Sequence, residues 1–156
     1  MSWQLNASPG ALFSLDLVNL QADGAEVVLP VRTDDDVVKL RKLVREVLIS
    51  MRFSIVDQTK MVTAASELAR NTLRYGGGGD CSLAKVGDGS RTGLALAFSD
   101  NGPGIADVSL ALTDGYTTGG GMGLGLGGAK RLVDVFELQT SPDTGTTVKI
   151  IKWKPY

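Results

Sequence analysis

Gly119-Gly120-Gly121-Met122-Gly123-Leu124-Gly125-Leu126-Gly127-Gly128 runs straight into Ala129-Lys130-Arg131-Leu132-Val133-Asp134-Val135, a stretch of helical character. Alternate glycines let the main chain approach phosphate oxygens closely, and a helix that follows points its free N–H groups at them. Lys130 and Arg131, in the early turns of that helix, add positive charge. No Gly-Lys-[Ser/Thr] closes the run, which excludes a Walker A loop. It follows a loop late in the chain and not an early strand, which argues against a dinucleotide-binding fingerprint. A plain linker is disfavoured as well, because Met122, Leu124 and Leu126 interrupt the glycines. Ten of the chain's 20 glycines fall between Gly102 and Gly128, so this is local crowding and not a general bias.

Working outward, a second loop lies upstream. Asp100-Asn101-Gly102-Pro103-Gly104 follows the apolar run Leu94-Ala95-Leu96-Ala97-Phe98. An acid at a strand end before two spaced glycines makes a tight loop with bare amides. Because a carboxylate only accepts hydrogen bonds, Asp100 can meet an exocyclic amine; the same dipeptides also suit an ordinary turn. Further upstream, Ser66-Glu67-Leu68-Ala69-Arg70-Asn71 places Glu67 and Asn71 at i and i+4 on one helix face, beside the apolar stripe of Ala64 and Leu68. That pair is either a solvated helix pair, or a proton acceptor beside a neutral oxygen suited to a hard cation.

The elements around these segments read as follows. Residues 25–31 make a short strand in which Pro30 marks an edge or end. Thr33 before Asp34, Asp35 and Asp36 opens a helix over 34–52, whose apolar positions recur every three to four residues. Asp57 caps a second helix through 74, stopped by Tyr75 and the glycines 76–79. Strands at 81–86 and 93–99 form a hairpin, 107–112 holds a short helical piece, and a third helix spans 125–135. Residues 137–140, a turn at 142–145, and 146–153 make a closing hairpin. Two or three helices with about five strands in hairpin order give an α+β two-layer sandwich. Residues 1–24 read as an N-terminal extension to a domain over 25–156.

The 156 residues suffice for one domain with a real core, at roughly 150 residues per domain. With 16 Lys+Arg against 17 Asp+Glu the net charge is −1, which argues against nucleic acid or an anionic membrane as partner. The chain has no His and one Cys. That excludes an internal disulfide, a Cys/His zinc site, a His-based triad and a phosphohistidine intermediate. No targeting signal or membrane span is visible, so the cytoplasm is expected. Cys81 reads as a small core or edge residue and Trp153 as packing.

Taken in order, Glu-x3-Asn on a helix, Asp-x-Gly-x-Gly after a strand, and Gly-x-Gly-x-Gly opening a helix resemble the N, G1 and G2 boxes of the GHKL ATPase/kinase superfamily. Within it, SELARN, DNGPGI, GGGMGLGLGGAKRLVDVF and the closing GTTVKIIKW look most like RsbT-type serine kinases, relatives of the RsbW-type anti-sigma-factor kinases. The resemblance covers residues 26–154. It implies the Bergerat fold: a mixed, mostly antiparallel sheet covered on one face by helices, binding ATP and Mg²⁺. It further implies Glu67 as general base, Asn71 as Mg²⁺ ligand, and Asp100 on the adenine amine with Gly102 and Gly104 shaping that pocket. Gly121, Gly123 and Gly125 would wrap the phosphates with Lys130 nearby, Thr146 would help bind adenine, and 108–118 would form the ATP lid. An arginine on the first helix reaches the γ-phosphate in some relatives, which points to Arg41. The implied substrate is a serine or threonine of a STAS-domain antagonist (RsbS-like), with a PP2C-type phosphatase or a sigma factor as further partner. The alternative within the same resemblance is a non-catalytic nucleotide-binding partner-switch protein.

Overall fold

The computed structural model describes residues 2–3, 21–22, 26–112 and 125–155. Helix α1 (Asp34–Ser50) begins at Thr33, whose side chain accepts from Asp36 N while the Asp36 carboxylate accepts from Thr33 N, a reciprocal capping box. The Arg32 amide also donates to Asp36 and, with Thr33, holds that carboxyl below its usual range. Val37, Leu40, Val44 and Leu48 form the buried stripe. Arg52, with φ 64°, makes the left-handed turn into the next helix.

Helix α2 (Ile55–Arg74) is capped by Ser54 and not by Asp57, a correction to the sequence-based expectation. Ser54 has the extended backbone a cap requires and accepts from Asp57 N at 3.1 Å. Asp57 falls inside the first turn, where its carboxylate pairs with Lys152 Nζ at 3.6 Å. Gly77 and Gly78, at φ 73° and 97°, reverse the chain after α2 and feed it into the sheet.

The strands are β1 (Ser2–Trp3), β2 (Gln21–Ala22), β3 (Val27–Val31), β4 (Gly79–Gly87), β5 (Thr92–Asp100), β6 (Val135–Ser141) and β7 (Gly145–Trp153). They lie in the order β1-β6-β7-β5-β4-β2, with β3 also on β4, and every pairing among the described residues is antiparallel. Helices on one face of this sheet make the α+β two-layer arrangement expected from the sequence. The five longer strands are those read from the sequence. The two-residue β1 and β2 come from the 1–24 segment and pair with β6 and β4 respectively.

Two short helices complete the layer, α3 (Val108–Ala111) and α4 (Gly125–Arg131). The third helix is thus shorter than the expected 125–135. Leu132 N turns back to Ala129 O, Asp134 N donates to Ile151 O, and the Asp134 side chain accepts from Trp153 N, so residue 134 already belongs to the sheet edge. Leu132, Val133 and Val135 satisfy either period, and sheet pairing decides between them.

Alternation in the strands sends Leu83, Leu94, Leu96, Phe98, Leu138 and Ile150 toward α1 and α2, where they are almost wholly buried. Trp153 packs on Val86, Ala95 and Ile151, with the Arg91 guanidinium 4.1 Å from its ring centroid. Lys152 ties β7 to the start of α2, its ammonium lying 3.6 Å from Asp57 and 3.8 Å from Asp134. Lys152→Met, which leaves the half-sequestered Asp57 without its cation, is expected to cost about 2 kcal/mol in urea unfolding. Cys81 is wholly buried, and that burial pushes its thiol well above the ordinary range. Iodoacetamide near neutral pH should therefore leave the native protein unlabelled and modify it fully after denaturation.

Candidate functional site

A cleft of about 790 Å³ opens between the C-terminal half of α2, the ends of β5 and β7, the loop after β5, and helices α3 and α4. This is the size of a small-molecule pocket. Its polar groups collect at two ends.

One end is built on Asp100, the last residue of β5. Its Oδ1 accepts from Gly102 N at 2.8 Å and from Thr146 N at 3.2 Å. Those two amides orient the carboxylate and leave Oδ2 for a ligand that donates, such as an amine. Gly104 lines the cleft at φ 79°, and a Cβ there would lie 2.7 Å from Ser141 O, so the loop can run this close to β6 only as glycine. The Thr146 hydroxyl lies 2.9 Å from Thr140 Oγ1, which accepts from Ile105 N at 2.8 Å and so pins the loop to the sheet. Leu68, Phe98, Ile105, Leu126 and Val148 supply apolar walls, suited to the faces of a flat ring.

At the other end stands Glu67, 5% exposed. Its Oε1 accepts from Gly125 N at 3.0 Å, and its Oε2 lies 3.9 Å from Arg70 Nη1. The amide of Gly125 is therefore committed to Glu67. Asn71, half-buried, follows one turn on and lines the same wall, with Arg74 a further turn toward Asp100. Glu67 and Arg74 stand about 10 Å apart along the axis at 1.5 Å per residue, so α2 forms one side of an elongated slot.

The cleft thus brings together Glu67, Asn71, Asp100, Gly104, Gly125 and Thr146, with Gly102 just behind Asp100. Arg41 does not join them: it is exposed on α1 and lines no part of the cleft. Lys130 is likewise exposed on α4, away from the lining. Gly121 and Gly123 lie outside the described residues, as does the expected lid beyond residue 112. The described part of that lid is α3, capped by Asp107, whose Oδ1 accepts from Leu110 N; Leu110 and Ala111 face the cleft. Sequence reading passed over Arg70 and Arg74 as lining cations, although i+3 from Glu67 and i+3 from Asn71 were the available signals. The apolar walls were missed because they come from five different elements.

Among the described residues no three His, Cys, Asp or Glu side chains cluster to hold a metal ion. A divalent cation here would take the Asn71 amide oxygen and draw most of its ligands from a bound anion and water, the usual habit of Mg²⁺. The half-buried neutral oxygen of Asn71 on the cleft wall fits that role. No helix among the described residues is long and apolar enough to cross a membrane.

The sequence pattern of the histidine kinase-, DNA gyrase B- and HSP90-like ATPases matches residues 56–155. The chain is also similar to the serine/threonine-protein kinase RsbT of Bacillus subtilis (strain 168), with 42% identity over 123 residues, 79% of this chain and 92% of that relative. Among solved structures it is similar to the RsbU and RsbW domains of a Mycobacterium tuberculosis protein, with a TM-score of 0.58 and 20% identity over 85% of this chain. The match spans 34% of that longer chain, and at this identity it speaks to the fold alone.

Proposed function

Since this chain belongs to the histidine kinase-, DNA gyrase B- and HSP90-like ATPase family, among its RsbT-type serine/threonine-protein kinases, we propose that it phosphorylates a STAS-domain antagonist protein in a cytoplasmic partner-switching pathway. The acceptor is a serine or threonine hydroxyl, and ATP is the donor. Release from the phosphorylated antagonist would free the kinase to engage a PP2C-type phosphatase.

One observation carries the reading: a buried carboxylate and an amide-clamped carboxylate stand at opposite ends of a single slot, with Asn71 between them. In this reading Asp100 Oδ2 accepts from the adenine amino group while Phe98, Val148 and Ile105 clasp the ring. Glu67 takes the proton of the attacking hydroxyl at Oε2, its other oxygen being held by Gly125. Phosphoryl transfer asks for positioning and charge neutralisation more than for covalent help. Mg²⁺, when bound, supplies part of that neutralisation, and Asn71 is the residue that would hold it.

The test is to incubate the protein with γ-labelled ATP, Mg²⁺ and candidate STAS-domain proteins. Label on a serine or threonine of the acceptor is the expected result. Nucleotide binding without transfer to any acceptor would instead indicate a partner-switch protein that sequesters its target. Phosphate release without an acceptor would indicate a free-standing ATPase.

A further inference from the structure

We propose that Arg70 is a catalytic residue, a cation that leaves Glu67 when the γ-phosphoryl group arrives and carries charge on that group during transfer. The proposal rests on the kinase reading above and gives a role to Arg70, which the sequence reading quoted within its motif but assigned none.

Four observations place it there. Glu67 Oε1 is taken by the Gly125 amide, so Oε2 is the oxygen left to accept a proton. Arg70 Nη1 stands 3.9 Å from that same Oε2, close enough to pair by charge but beyond hydrogen-bond length. The two side chains differ in freedom, Glu67 being 7% exposed and Arg70 47% exposed at the mouth of the cleft. Finally, the cations among the described lining residues are Arg70 and Arg74, and Arg74 lies one turn nearer Asp100, away from Glu67.

The chemistry follows from a conflict at one atom. A guanidinium beside Oε2 sets a positive charge next to the oxygen that the acceptor proton must reach, so cation and proton compete for one atom. Transfer resolves this if Arg70 moves as the proton arrives. The acceptor hydroxyl oxygen bonds to the γ-phosphorus, the bond from that phosphorus to the β-bridging oxygen breaks, and its electron pair leaves on ADP. The hydroxyl proton passes to Glu67 Oε2. At that moment Oε2 has lost its negative charge and the transferring group carries it, so the planar guanidinium fork finds the better partner on phosphoryl oxygens. The half-exposed stem permits the swing with no change in α2.

Arg70→Ala and Arg70→Lys test this by ADP calorimetry and single-turnover transfer to the acceptor protein. Arg70→Ala is expected to lower the transfer rate about 100-fold with ADP affinity kept within about twofold. Arg70→Lys should recover part of the loss, since it restores charge without the fork. Added methylguanidinium should raise the rate of Arg70→Ala and leave Glu67→Gln unimproved, which a merely structural role would not produce. Wild-type rates in Arg70→Ala, or a fall in ADP affinity as large as the fall in rate, would overturn the proposal. Wild-type protein that neither binds ATP nor transfers phosphate would overturn the kinase reading itself, a result separable from the first two.

Discussion

Glu67→Gln is expected to abolish most phosphate transfer, by about a thousandfold, and to leave ADP affinity nearly unchanged. The size is that of a positioned general base, typically 10²- to 10⁴-fold, or about 4 kcal/mol of barrier. The substitution is clean for a structural reason. Glutamine keeps an oxygen that accepts from Gly125 N, so the contact joining α2 to α4 survives while the proton-accepting oxygen becomes an amide. Glu67→Ala is the contrasting variant: it leaves the buried Gly125 N–H unpaired and should cost about 1–3 kcal/mol of stability as well. Single-turnover transfer beside thermal unfolding separates the two. Undiminished transfer in Glu67→Gln would remove Glu67 from the chemistry.

Asp100→Asn is the second large effect, expected in binding and not in folding. The asparagine oxygen can still accept from the Gly102 and Thr146 amides, so the loop after β5 and the start of β7 stay joined. The NH₂ group then occupies the place of Oδ2, and a donor faces the donor of the adenine amine. Loss of a hydrogen bond to a charged group, about 1.5–3 kcal/mol, corresponds to roughly 10- to 100-fold weaker ADP binding. Asp100→Ala should lose more, because it also strips two amides of their acceptor, and its melting temperature should fall with it. Calorimetry showing equal ADP affinity for wild type and Asp100→Asn would place the base elsewhere.

Much of this site was legible in the chain because its signals are local. The i, i+4 spacing of Glu67 and Asn71 puts them on one wall wherever the helix packs. An acid followed by Gly102 and Gly104 after an apolar strand marks a tight loop beside a sheet end. The helix boundaries failed where two local rules competed. Ser54 and Asp57 both cap well, and only the backbone conformation at residue 54 chooses between them. Residues 132–135 suit a helix or a strand, and the bonds from Asp134 to β7 settle it. Arg41, the first-helix candidate, is exposed on α1 and outside the cleft lining, a placement that its helix position alone did not reveal.

Spacing and residue chemistry thus determine the box order, the α+β layering and the choice of Glu67 and Asp100 as the candidate carboxylates, since each depends on neighbours a few positions away. Which cation stands beside Glu67, which of its oxygens is held by Gly125, and which apolar side chains line the cleft were decided by packing. Those contacts join residues 58 positions apart, as between Glu67 and Gly125, or 46 apart, as between Asp100 and Thr146. Their geometry comes from how α2, α4 and the sheet press together, a balance of burial and hydrogen bonding over the whole domain that no short window of sequence contains.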